Sequence, residues 1–199
     1  MTKIYLETWK STTPEYVFIK TLLNNVLNKD MSQIDLVCVD GWTNLFKVAN
    51  TFRACTMDGG TNLIIFDADS ASNGGGFQKR LSSLINVLQQ ENLTAQLFLF
   101  PNNSDDGDFE TLLERLTQNV THKAFFDCFH DYETCLGTKY VAPNRKAKLF
   151  SYVSSQTHLS NNQRKKVGKG EWCFDDASLW NMDAPYLNAL KDFFNKWIP

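Results

Sequence analysis

Asn62-Leu63-Ile64-Ile65-Phe66-Asp67-Ala68-Asp69 is a short apolar run that ends in two carboxylates, and the glycine-rich Asn73-Gly74-Gly75-Gly76 follows it. A run of this length, rich in β-branched and aromatic residues and bounded by turn formers, reads as a buried strand. In open α/β sheets, ligands bind in the crevice beyond the carboxyl ends of the strands. A D-x-D pair there suits Mg²⁺ or Mn²⁺, hard ions that prefer carboxylate oxygen and keep waters for a substrate phosphate to replace. The first expectation is therefore metal-dependent chemistry on a phosphate.

The same pattern repeats on both sides of this strand. Lys3 to Glu7 reads as a short strand, and Thr13 caps a helix that starts at Pro14 and runs to about residue 27. A β-branched strand, 34–39, closes on Asp40-Gly41 and leads into a helix over 43–55. After the 63–66 strand come a helix over 76–91, a strand over 95–100, the loop Pro101 to Gly107 and a helix opening at Asp108. Strands alternating with helices predict an α/β fold, a four-stranded and mostly parallel sheet flanked by helices.

Beyond residue 117 the chain reads as helical. Helices are expected over 120–136 and 143–153, and Leu187, Leu190, Phe194 and Trp197 are spaced as one face of a terminal helix docking on the core. Two regions follow: an α/β core over 1–118, and a helical extension over 119–199 packed on it, with a polar basic loop near 154–170.

At 199 residues and 43% hydrophobic content, the chain suits one well-buried domain. Its five cysteines (Cys38, Cys55, Cys128, Cys135, Cys173) are widely spaced with no C-x-x-C pair, which suggests neither a disulfide framework nor a zinc ribbon and fits a reducing cytoplasm. Glu7 arrives before any long apolar stretch, against a signal peptide, and no apolar run is long enough to span a bilayer. A cytoplasmic protein with no membrane partner is expected.

Charge is unevenly spread. The net charge is −2, yet between Lys139 and Gly170 lie Lys139, Arg145, Lys146, Lys148, Arg164, Lys165, Lys166 and Lys169 with no Asp or Glu. Such a block is either a solvated face or the footprint of a polyanion, and Arg164, Lys165 and Lys166 are the candidate nucleic-acid contacts. Gly75 and its neighbours open a helix where backbone N–H groups and the helix dipole would favour a phosphate, with Lys79 and Arg80 in its first turns. A simple turn explains these glycines equally well, since no G-x-x-x-x-G-K-[ST] or G-x-G-x-x-G is present.

Parallel strands bring further acids to the D-x-D edge. Glu7 ends the first strand, and the loop after the fourth carries Asp105, Asp106, Asp108 and Glu110. Carboxylates gathered so closely repel one another unless a cation neutralises them or some hold a proton. Asp67, Asp69 and Glu110 are the expected metal ligands, although Asp69 and Asp108 could serve as caps and Glu110 could sit in a first helical turn favoured by the dipole.

These residues resemble the Toprim domain of topoisomerases, primases and OLD-type nucleases. More closely, Ile64-Ile65-Phe66-Asp67-Ala68-Asp69 with Gly74-Gly75-Gly76, then Leu97-Phe98-Leu99-Phe100-Pro101-Asn102-Asn103 and Gly107-Asp108-Phe109-Glu110-Thr111-Leu112-Leu113, is similar to a small uncharacterised Toprim-related family of bacterial and phage proteins. The resemblance covers most of residues 3–116. It implies a four-stranded parallel sheet, Glu7 as the acid/base or metal-organising group, and Asp67 and Asp69 as Mg²⁺ ligands. Toprim proteins usually follow the first acid with a glycine and a nearby acid; here Thr8-Trp9-Lys10 follows Glu7 and the next acid is Glu15.

The leading expectation is a Mg²⁺- or Mn²⁺-dependent nuclease, or another enzyme acting on nucleic-acid phosphodiesters. A non-catalytic binding protein on a Toprim scaffold is the alternative, with a metal-dependent sugar-nucleotide transferase behind it. A zinc site at Cys128, His130 and Cys135 lacks a fourth ligand and a common spacing. No G-x-S-x-G elbow marks a serine nucleophile.

Overall fold

A computed structural model describes all residues, 1–199. Four strands, β1 (Thr2–Leu6), β2 (Ile34–Cys38), β3 (Thr61–Asp67) and β4 (Gln96–Phe100), form one all-parallel sheet in the order β2-β1-β3-β4. The chain leaves β1 to one side to make β2, then crosses back to place β3 on the other side of β1. That reversal puts the topological switch between β1 and β3, whose register pairs Leu6 with Ile65.

Alternation along the strands divides the core in two. Ile4, Leu6, Leu63, Ile65, Phe98 and Phe100 face one layer, which holds α1 (Pro14–Thr21), α4 (Phe109–Leu116) and the C-terminal extension. Tyr5, Ile64, Phe66 and Leu99 face the other, which holds α2 (Ala49–Met57) and α3 (Phe77–Gln90). Tyr5 stacks on Phe52 with ring centroids 3.7 Å apart, and its hydroxyl donates to the buried Asn62 side chain. Fully burying one such side chain contributes roughly 1.5–3 kcal/mol, so the sheet's two apolar faces are the main source of its stability.

The expected alternation of strands and helices is observed, with local differences. The first helix gives way to a π-turn at Leu22–Val26, and the segment before α2 is 3₁₀ over Trp42–Val48. The extension contains α5 (Lys123–Leu136), α6 (Arg145–Ser154), α7 (Asn161–Val167) and α8 (Asn188–Trp197). The stretch expected to be a basic loop thus holds a helix. Its cause is a reciprocal cap: the Ser160 hydroxyl accepts from the Gln163 N–H, and the Gln163 side chain accepts from the Ser160 N–H. The extension joins the α1/α4 layer through buried Leu149, Tyr152, Trp172, Trp180 and Phe194, where the Tyr152 hydroxyl donates to the Leu179 carbonyl and the Trp180 indole to that of Trp172. No helix is long and apolar enough to cross a membrane.

The turn after β3 is set by close contact. A Cβ on Gly75 would lie 2.3 Å from the Asp69 Cβ and 2.8 Å from the Ala68 carbonyl oxygen, so the glycine run closes tightly over the strand exit. Gly75→Ala should cost about 1–3 kcal/mol through overpacking. Gly168→Ala, with nothing nearer than 3.6 Å and no left-handed φ, should be close to neutral. Urea unfolding of the two variants checks the contrast; equal midpoints would refute it.

Candidate functional site

The switch point gathers carboxylates from four elements. Glu7 follows β1, Asp67 ends β3, and Glu110 stands in the first turn of α4. Glu15, from the first turn of α1, joins them. Together they line a cavity of about 270 Å³ that also touches Thr8, Trp9, Phe109 and Lys146. Thr13 caps α1 by accepting from the Tyr16 N–H, and Pro14 takes the first helical position, so Glu15 starts where β1 ends.

Two of the acids are pinned by backbone. Glu7 accepts from the Trp42 N–H at Oε1 (3.2 Å) and from the Asp67 N–H at Oε2 (3.1 Å), which ties the ends of β1 and β3 together. Asp67 Oδ1 accepts from the Phe109 N–H at 2.8 Å, and Asp108 caps α4 by accepting from the Thr111 N–H at 2.7 Å. In contrast, Glu15 Oε1 is buried with no hydrogen-bond partner. Lys146 reaches in from α6, with its Nζ 4.0 Å from Glu110 Oε1, and is the only cation lining this cavity.

Burial raises every one of these carboxyls, and the neighbouring acids of the crevice raise Asp67 and Glu15 further. Burial foremost, then the charges of Glu15, Glu7 and Glu110, push Asp67 well above the carboxylate range. Burial, then Glu7 and Glu110, push Glu15 up. Burial raises Glu7 against the two amide bonds and the Arg80 charge, and raises Glu110 against Lys146. A buried acceptor without a donor and four acids held back from ionising make a crevice whose ionised form a positive charge would favour. The donor set is all carboxylate oxygen, which fits Mg²⁺ or Mn²⁺. No three acidic, histidine or cysteine side chains are yet drawn together as a ready-made ligand set.

Several expected site residues have other tasks. Asp69, with a left-handed backbone, ion-pairs with Arg80 and does not line the acid cavity. Arg80 is itself buried and lies over the Trp42 ring at 4.5 Å, so it braces the sheet edge and is not free to meet a phosphate at the surface. The N-terminus of α3 already holds a carboxylate, because Asp106 Oδ1 accepts from the Phe77 N–H at 2.7 Å. Gly75 packs against the strand exit, and Lys79 is exposed on α3. Arg164 donates to the Ser154 and Gln156 carbonyls, Lys166 pairs with Glu171 at 3.2 Å, and Lys165 is exposed.

Much of the basic block serves assembly. Arg145 meets Asp108 (3.3 Å) and Glu114 (3.4 Å), and Lys148 meets Glu114 (3.7 Å), joining α6 to α4. Such partly exposed pairs are individually weak, so they set the docking register more than they stabilise it. His122 and His158 bond to Ser178 and Asp176, apart from exposed Cys128, His130 and Cys135.

No protein-family model, curated protein or solved structure matches this chain.

The raised carboxyls fix the sign of a pH effect. A carboxyl that titrates higher folded than unfolded makes the folded state bind more protons above the ordinary range near pH ~4, so stability falls as pH rises through that window. Without metal, the melting temperature should drop from about pH 5 to about pH 8, and Glu15→Gln should be more stable than the parent at the upper end but not the lower. Differential scanning fluorimetry across pH reads this; a variant less stable throughout would contradict it.

Proposed function

We propose that the chain is a divalent-metal-dependent enzyme acting on phosphodiesters, with nucleic acid as substrate. The observation that carries this reading is the convergence of Glu7, Glu15, Asp67 and Glu110 on one crevice at the β1/β3 switch, with an unpartnered Glu15 oxygen and all four carboxyls raised. Asp67, Glu15 and Glu110 would hold the ion, which would polarise the phosphoryl oxygen and stabilise the leaving oxygen. Glu7, oriented by the Trp42 and Asp67 amides, accepts the proton of the attacking water. Lys146 steadies the phosphate, and the Asp69–Arg80 pair holds the edge on which Glu7 is mounted. The all-parallel sheet carries acids at the ends of β1 and β3, as the reading requires.

A second reading has its own observation. Both Glu7 oxygens already accept amide hydrogen bonds, as they would in a scaffold that keeps its acids for binding alone.

Purified protein with Mg²⁺ or Mn²⁺ should cut at least one of plasmid, linear duplex and single-stranded DNA or RNA. Glu7→Gln should slow cutting by about 100-fold or more while keeping Mn²⁺ affinity, whereas Asp67→Asn should lose that affinity. Cleavage assays paired with calorimetric Mn²⁺ titration decide it. Occupied metal with no substrate cut would leave the binding protein as the better reading.

A further inference from the structure

The acid crevice adjoins a second cavity of different chemistry. This space, of about 400 Å³, lies between α6, the turn after α7 and the loop that leads from β1 into α1. Thr13, Pro14 and Lys146 line both cavities, so the two lie side by side. Its walls include Phe150, Val167 and Trp172, its rim carries Lys10, Lys146 and Lys169, and no acid lines it. Exposed aromatic surface continues beyond the rim, where Trp9 is 63% exposed with the Lys10 ammonium 4.0 Å from its ring centroid.

The shape of this cavity is built in. Gly170 has φ +102°, and a Cβ there would lie 2.1 Å from the Thr12 carbonyl oxygen, so the extension is seated directly on the loop that positions Glu15. Trp172 is buried at that junction, while Phe150 is 40% exposed and lines the cavity. An apolar slot edged by lysines beside an acidic crevice matches the two halves of a nucleotide: a flat base with a π-face, and a phosphate that needs positive charge.

We propose that this cavity is a nucleobase subsite, taking an unstacked base of a single-stranded nucleic acid whose adjoining phosphate lies at Lys146 and the acid crevice. The inference rests on the phosphodiester reading of that crevice and adds to it the form of the substrate. A base inside a duplex is stacked on both faces and paired at its edge, so it cannot enter a side cavity without being extruded, whereas a single strand offers its bases directly. Stacking on aromatic walls tolerates any base, so discrimination is expected for the presence of a base more than for its identity.

The test is fluorescence anisotropy in Ca²⁺ with three short labelled DNAs of one length: a single strand, its duplex, and a strand whose sugars carry no bases. The single strand should bind about tenfold tighter than either of the others. Phe150→Ala should erase the preference over the abasic strand while leaving the melting temperature and Mn²⁺ affinity unchanged. Lys169→Gln should weaken all three DNAs together. Equal affinity for the abasic strand, a preference for duplex, or a base preference that survives Phe150→Ala would overturn the subsite. A separate Mn²⁺ titration distinguishes the two readings. Mn²⁺ bound without base preference removes the subsite alone, and base preference without Mn²⁺ binding removes the phosphodiester reading and keeps the subsite.

Discussion

Four carboxyl groups face one crevice at the carboxyl edge of a parallel sheet, and their repulsion is the constraint around which the rest of the chain is arranged. Parallel strands leave no choice about the edge: β1 and β3 are neighbours in register, so an acid following one stands beside an acid ending the other. Helices that follow β1 and β4 add acids from their first turns, Glu15 from α1 and Glu110 from α4. Desolvation then makes the ionised forms costly, and each charge raises its neighbours further. A folded chain tolerates this by holding protons or by holding a cation.

The surroundings divide the burden of keeping the acids in place. Backbone amides of Trp42, Asp67 and Phe109 fix Glu7 and Asp67. Arg80 is committed to Asp69 and stacked on Trp42, giving the edge an internal counter-charge. The extension supplies Lys146 beside Glu110, and its Arg145 and Lys148 meet the α4 cap Asp108 and Glu114. Without the extension, the crevice would lack its lysine and the wall of its neighbouring cavity. Core and extension are therefore one functional unit, although they read as separate regions along the chain.

What could be read from the sequence followed from local patterning. Apolar runs marked all four strands to within a residue or two at most boundaries, and strand-ending position alone brought Glu7 and Asp67 to the site. Glu15 entered the sequence reading only as the next acid after Glu7, because it ends no strand and belongs to no acidic run. The signal that could have found it is the rule that singled out Glu110: a helix following a parallel strand starts at the carboxyl edge, and so does its first turn. Asp69 could not be separated from Asp67 by sequence, since its fate depends on Arg80 returning from α3 to pair with it. Likewise, the sequence left the basic block open between a solvated face and a polyanion footprint and did not show its ion pairs to α4, because those partners lie more than twenty residues earlier in the chain. The helix α7 was missed despite Ser160 and Gln163 at capping-box spacing, since its polar composition hides any apolar stripe.

The central claim is that the crevice between β1 and β3, and not the D-x-D pair as a unit, holds the divalent ion. Anomalous diffraction from a crystal soaked in Mn²⁺ near neutral pH tests this directly. The account predicts one peak within coordination distance of Asp67 and at least one of Glu15 and Glu110, with the Asp69–Arg80 pair intact. A peak bridging Asp67 and Asp69 with Arg80 displaced, or no peak in the crevice at saturating Mn²⁺, would contradict it.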